Sequence, residues 1–481
     1  MENKINRRDF IQLTVSGSAA YLAGPKILAL AANPRGSRLI SPGCRRSKVR
    51  IARIYMARGG LWPKPNLDLK REVRFYESRF AKLKDEFSDV EFVVDELVTS
   101  PNQVRALIAE LRSVDGILAI HFNMGVRSIL NEILRVGKPT IVFAVPYSGH
   151  GWTGFGALQK QELGAKLGCM LTSDYKQLAV AIRPFRAIHH LREAKILNIT
   201  TRSFTGYANQ MKDKLGTEIK QIGLKRVLDA CNGVSDNEAK AEAERWIKGA
   251  EKVIEPSRED IFKSCKLALA MEKLLAEEDA TVMTADCYGT MFRPLCQSYA
   301  YPCVGFTRLN NMGLGGICES DLQSAMTHII YQGLVGKPGF ISDPTVDESN
   351  NSIILAHCMG TTKMDGPDGP AAPYKLRTIM ERQQGVVPQV EMRIGQKVTQ
   401  AKLIGTDLLL YFTGDIIDAP VSLEHDRGCR TKITVKVDGD VTKLWKNWSY
   451  GLHRQTCYGD ITRELELFCR FKEIKMVNEA V

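Results

Sequence analysis

At 481 residues the chain is too long for one ordinary domain, so two or three hydrophobic cores are expected. Its 44% hydrophobic and 25% charged content is that of a globular protein and argues against a fibrous or disordered chain. A net charge of +12 invites a nucleic-acid partner, but residues 1–31 carry a net +2 and residues 32–50 a net +6, which leaves only +4 on everything after them and argues against that class.

The opening "NRRDFIQLTVSGSAAYLAGPKILALAA" sets paired arginines, Arg7 and Arg8, before Phe10, a moderately apolar stretch and the small residues Ala29-Leu30-Ala31. This is the layout of an export signal, and the arginine pair resembles the twin-arginine type. Residues 1–31 are therefore set outside the fold and residues 32–48 read as a basic linker. The mature chain is expected in the periplasm or outside the cell, with the twin-arginine translocase a partner during export. An amphipathic first helix of the folded domain is the competing reading. No other stretch approaches the ~20 apolar residues that cross a bilayer, so stable membrane insertion is not expected. The twelve cysteines contain no C-x-x-C pair, which argues against a zinc ribbon, thioredoxin-like chemistry or an iron–sulfur cluster; few disulfides are expected in a chain of this size.

From Val49 strands and helices alternate. "VRIARIYMA" reads as a strand, residues 67–87 as a helix with Val73, Phe80, Leu83 and Phe87 on one face, and "VEFVVDELV" as a second strand. Ser100-Pro101 offers an N-cap and first-turn proline to a helix over 101–113. "DGILAIHF", a helix near 125–136 and "KPTIVFAV" complete a parallel sheet with helices on both faces, a domain over 49–182. After a helical connector near 176–194 the rhythm restarts. "AKILNIT", a helix about Gln210, "TEIKQIG", a helix over 236–250, a capping box at Ser257–Asp260 and "ATVMTADC" make a second α/β domain, 183–334. From 335 the pattern changes to short β-like runs, "GVVPQVEMRIG", "QKVTQAKLIG", "TDLLLYFTGDII" and "CRTKITVKVDG". The expected fold class is α/β: two Rossmann-like parallel-sheet domains, then a mainly antiparallel, barrel-like C-terminal domain over 335–481.

Two patterns carry possible chemistry. "GHGWTG" at 149–154 satisfies G-x-G-x-x-G, but it follows the fourth strand of its domain rather than the first, so a glycine-rich strand-to-helix turn is the better reading than a nicotinamide site. The other is dispersed: Glu319 ends the run "GLGGICESD", Asp343 follows in "FISDPTVDESNN", His357 lies in "IILAHCMG" and His453 in "YGLHRQTCYGD". Carboxylates with imidazoles make a hard or borderline divalent site, suited to Mn²⁺. Each residue also has a plain reading. Glu319 serves equally to cap a helix over 320–333, Asp343 to open a turn before Pro344, and the histidines as hydrogen-bonded core residues. Spacing leaves these alternatives open. Cys318, Cys358 and Cys457 fall beside or near the same positions and admit a softer Cys/His metal site or a disulfide across the cleft.

The stretches "PCVGFTRLNNMGLGGICESDLQSAMTHIIYQGLVGKPGFISD", "AHC", "GQKVTQAKL" and "HRQTCYGD" together resemble the L-fucose isomerase and L-arabinose isomerase superfamily, from about Ala194 to the C-terminus and more loosely before it. That resemblance implies three domains and an aldose–ketose isomerase acting on a sugar through an enediolate. It implies Glu319 and Asp343 as metal ligands and acid/base pair, His453 as a third ligand, His357 as a fourth, Mn²⁺ as cofactor, and assembly as trimers or hexamers. Glycines 313, 315 and 316 would let the backbone turn and project Glu319 into the cleft. Arg58 and Trp62 in "ARGGLWPKP" are candidate sugar contacts. Leu452 stands before His453, where the family usually carries a polar Asn or His, and the chain is shorter than its sugar-isomerase relatives; both departures bear on substrate identity more than on metal binding, and the substrate expected is a deoxy- or modified sugar. A non-catalytic sugar-binding protein of the same fold and, further off, an oxidoreductase are the rival readings.

Overall fold

The computed structural model describes residues 47–60, 62–287, 296, 299–421 and 427–481. The expected export signal and nearly all of the basic linker lie outside these residues.

Strands β1 (Val49–Met56), β2 (Val90–Val98), β3 (Gly116–His121), β4 (Thr140–Ala144) and β5 (Leu167–Leu171) form an all-parallel sheet in the order β2-β1-β3-β4-β5. Every residue of β3 and β4 is buried, as helices on both faces of a parallel sheet require. The fifth strand departs from the sequence expectation, because "LGCML" has neither alternation nor β-branched residues to mark it. The helix expected over 67–87 runs only Leu69–Lys82, capped by the Asp68 side chain, and is followed by a 3-10 turn at Lys84–Phe87. The helix expected over 101–113 is two pieces, Pro101–Ala106 and Ile108–Arg112. "GHGWTG" is a 3-10 turn and loop after β4, as expected of a strand-to-helix connection.

The helix Gln177–Glu193 leads into the second sheet and is pinned by Arg186, whose Nη2 donates to Asp89 Oδ1 at 2.8 Å with both side chains almost fully buried. The second sheet contains β6 (Lys195–Ile199) and β7 (Glu218–Ile222); the short β8 (Lys252–Val253) lies elsewhere, and β9 (Val282–Ala285) with β10 (Gly315–Ile317) completes the parallel order β10-β9-β6-β7. The capping box at Ser257 is present, its hydroxyl accepting from Asp260 N at 3.1 Å, an arrangement that stabilises a helix start by about 1 kcal/mol. The glycine run is thus a strand rather than a turn. Gly316 is required there, since a Cβ would stand 2.3 Å from the Phe306 Cα.

In the C-terminal region β11 (Phe340–Asp347) and β12 (Ser352–His357) precede a hairpin of β13 (Tyr374–Ile379) and β14 (Gln384–Val390), then come β15 (Lys397–Ile404), β16 (Leu408–Asp418), β17 (Thr431–Val437) and β18 (Arg454–Tyr458). Six strands in the order β15-β18-β11-β12-β17-β16 close into an antiparallel barrel through the β15–β16 pairing, and β19 (Lys475–Asn478) adds in parallel to β16. "GVVPQVEMRIG" is a strand, as expected, but β13 and β14 join β8 in a separate three-stranded sheet. The helix Thr462–Lys472 returns to pack on the helix Gln177–Glu193 and on β5. No helix among the described residues is long and apolar enough to cross a membrane.

Candidate active site and metal centre

The second sheet and the barrel meet just beyond the end of β10, at Glu319. The turn is made not by the glycines but by Glu319 and Ser320 themselves, with φ of 63° and 54° in the left-handed region. Non-glycine residues reach that region at a cost of order 1–3 kcal/mol and persist where surrounding contacts impose it. Here Ser320 N donates to Ala285 O at 2.9 Å and Ser320 Oγ to Asn198 Oδ1 at 2.7 Å, tying the turn to β9 and β6. The next residue, Asp321, caps the helix Leu322–Val335 by accepting from Ser324 N. Glu319 is therefore not the cap, and its carboxylate is free to point toward the barrel.

The barrel supplies the rest. Asp343 in β11 pairs with Ala356 in β12, which places His357 at the adjoining strand end, and His453 immediately precedes β18, the other neighbour of β11. His453 Nε2 lies 3.1 Å from Asp343 Oδ1 and 3.5 Å from Glu319 Oε2, and His357 Nε2 lies 3.9 Å from Glu319 Oε1. All four residues singled out from the sequence thus converge. Asp343 Oδ1, His357 Nδ1 and His453 Nε2 are buried without an aligned hydrogen-bond partner. One ligand atom from each of Asp343, His357 and His453 lies within 4.8 Å of the others, and buried polar atoms without well-aligned partners are costly, so the donor set fits a cation. The donor set of two carboxylates and two imidazoles suits a divalent ion such as Mn²⁺.

Two residues not read from the sequence set up this cluster. Asp321 Oδ2 sits 3.0 Å from His453 Nδ1 and accepts from Lys402 Nζ, also at 3.0 Å, so it fixes the imidazole with Nε2 facing the cluster. A carboxylate at a helix N-cap and a lone lysine on a buried strand were the available signals, and neither stands out in one sequence. Burial pulls the His453 imidazole down, but Asp321, Asp343 and Glu319 outweigh it and push its pKa up to about 9. Burial, with the neighbouring His453, lowers His357 to about 4. Burial also raises the Glu319 carboxyl, and the Asp343 and Asp321 charges outlast the opposing pull of His453. In Asp343 burial acts the same way, yet the two imidazoles override it and its carboxyl is lowered. The two carboxylates are thereby driven apart in acidity.

Glu319, Asp343 and His357 line a cavity of about 40 Å³ together with Tyr301, Glu381 and five cysteines, among them Cys318 and Cys358. Cys457 is elsewhere, fully buried in the core between the helix Leu322–Val335 and the barrel. The cavity lining does not include Arg58 or Trp62. Arg58 N donates to Asn123 Oδ1, and Trp62, half exposed, stacks on His150, both at the carboxyl edge of the first sheet.

Two parallel sheets and a barrel, the second sheet and the barrel meeting at a carboxylate–imidazole cluster, define an α/β protein whose donor set suits a divalent metal. The chain matches no protein-family model. It is 23% identical over 305 residues to sulfoquinovose isomerase from Clostridium sp. (strain MSTE9), an overlap covering 58% of this chain and 63% of that protein. The chain is thus a distant homologue of a sugar isomerase, matched over somewhat less than two thirds of that relative's length.

Proposed function

We propose that the chain is a metal-dependent aldose–ketose isomerase acting on a deoxy- or modified sugar through an enediolate. The observation that carries this reading is the convergence of the Glu319 and Asp343 carboxylates with the His357 and His453 imidazoles. Likeness to a sugar isomerase supports the reaction class. Sulfoquinovose, the sugar in that relative's name, is one modified sugar to try first.

Isomerisation moves a proton between neighbouring carbons while the carbonyl changes place. Glu319, Asp343, His453 and His357 would hold the ion, which when bound supplies positive charge to the two sugar oxygens that carry the enediolate. Glu319, made the stronger base by burial and the neighbouring acids that raise its carboxyl, takes the proton from the carbon beside the carbonyl and returns it to the next one. Asp343 stays ionised under the two imidazoles and moves the hydroxyl proton between the oxygens. Asp321 and Lys402 hold His453 in place without touching the sugar. Arg58 and Trp62 bind sugar at the cavity of a neighbouring chain in a trimer or hexamer. In this reading residues 1–31 direct export to the periplasm.

The test is ketose formation by the Mn²⁺-loaded protein from a panel of aldoses that includes sulfoquinovose. At saturating Mn²⁺, Glu319→Gln is expected to slow turnover by about 10²–10⁴-fold, a larger effect than on sugar affinity. Sugar bound with equal affinity by both proteins and converted by neither would instead identify a binding protein.

A further inference from the structure

Across the cavity from the carboxylate–imidazole cluster lies a second group of donors. Cys358 follows β12, Glu381 sits in the turn between β13 and β14, and Cys429 precedes β17, so three separate segments bring them together. Cys358 Sγ is 3.4 Å from Glu381 Oε2, and Cys429 Sγ is 3.5 Å from Glu381 Oε1. One ligand atom from each of the three lies within 4.8 Å of the others. Zinc holds sulfur at about 2.3 Å and carboxylate oxygen at about 2.0–2.2 Å, which at the tetrahedral angle sets such ligands roughly 3.6 Å apart. Each thiol donates a hydrogen bond to its own Glu381 oxygen at a spacing close to that figure, so an ion that replaced the two thiol protons would need little movement of the three side chains. Cys358 is buried, Cys429 half-buried and Glu381 exposed, so an ion has a path in from solvent.

We propose that Cys358, Glu381 and Cys429 form a second metal site, selective for a thiophilic divalent cation such as Zn²⁺. Two thiolates and a carboxylate are a softer set than two carboxylates and two imidazoles, so the two clusters select different ions. Three protein ligands leave a further position, and all three residues line the cavity that Glu319, Asp343 and His357 also line. An ion here would tie the end of β12, the β13–β14 turn and the segment before β17 into one wall of that cavity. The site stands on its own geometry and does not depend on the isomerase reading.

Cobalt(II) added to the metal-free full-length protein tests it, because thiolate ligation gives a sulfur-to-metal charge-transfer band in the near ultraviolet. One equivalent is expected to raise the band in wild type and equally in Asp343→Asn, whose other cluster is impaired. The band is expected to lose about half its intensity or more in Cys358→Ser and in Cys429→Ser and to vanish when both are replaced, and the Zn²⁺ affinity of Glu381→Gln to fall at least tenfold. Mn²⁺ binding retained by the cysteine variants checks that they are folded; if either fails that check, the Glu381→Gln affinity decides. The proposal is overturned by absence of the band in wild type, by a band that survives undiminished in both cysteine variants and disappears in Cys318→Ser, or by a disulfide joining Cys358 and Cys429 in the purified protein.

Discussion

His453 sets the proton balance of the cluster. In the metal-free protein burial works against its charge, but Asp321 and Asp343 hold the imidazole protonated up to about pH 9. A metal ligand must be the neutral imidazole, so ion uptake near neutrality expels a proton. The sign follows: apparent Mn²⁺ affinity rises with pH, about tenfold per unit for one proton released, and levels off above about 9. Titrations in buffers of different ionisation enthalpy read that proton directly; uptake without release would contradict the assignment. In the proposed metal centre Asp321 would act only through His453, and Asp321→Asn is expected to weaken Mn²⁺ binding about 10–100-fold with the fold intact. Lys402, with its side chain 4% exposed, is the other half of the buried pair. Lys402→Met leaves Asp321 with one charged partner fewer and should lower stability by about 3 kcal/mol in denaturant unfolding.

Strand β10 shows how an element places the Glu319 side chain at the cluster. Gly316 lies so close to Phe306 that Gly316→Ala should cost roughly 1–3 kcal/mol or more and weaken Mn²⁺ binding by moving Glu319; an unchanged melting temperature would contradict the packing account. The importance of this stretch was legible in the sequence, but not its geometry, because four residues spelled with three glycines read as a turn and nothing local reveals a partner strand such as β9. Likewise β11 and β12 escaped notice as strands, since Asp343-Pro344 carries a turn signature that only sheet pairing overrides. Glu319, Asp343, His357 and His453 were each legible as candidates, whereas Asp321 and Lys402 matter only through contacts across the fold. The helix Gln177–Glu193 offers a test of another kind. Burial lowers the His189 imidazole, yet Asp115 and Glu193 push its pKa up to about 9 from the usual 6.5. A raised folded-state value stabilises fully below 6.5 and fades as pH climbs through 9, so His189→Gln should lose most stability at the acid end of that window and least above it.

At the scale of the whole molecule, the site exists because two kinds of sheet meet. A parallel sheet ends by delivering Glu319, and a closed barrel presents Asp343, His357 and His453 on neighbouring strand ends. The alternation of strands and helices, and its change to short β runs after 335, made this division readable from the chain. The closing of six strands into a barrel and the reach of the C-terminal helix back to β5 were not readable, because both depend on pairings between distant segments. Calorimetric titration of the metal-free protein with Mn²⁺, wild type beside Asp343→Asn and Glu319→Gln, tests the central claim most directly. One ion per chain, bound with proton release and weakened at least tenfold in both variants, is the result predicted. Failure to bind, or binding indifferent to both substitutions, would contradict a metal centre at this cluster and with it the isomerase reading.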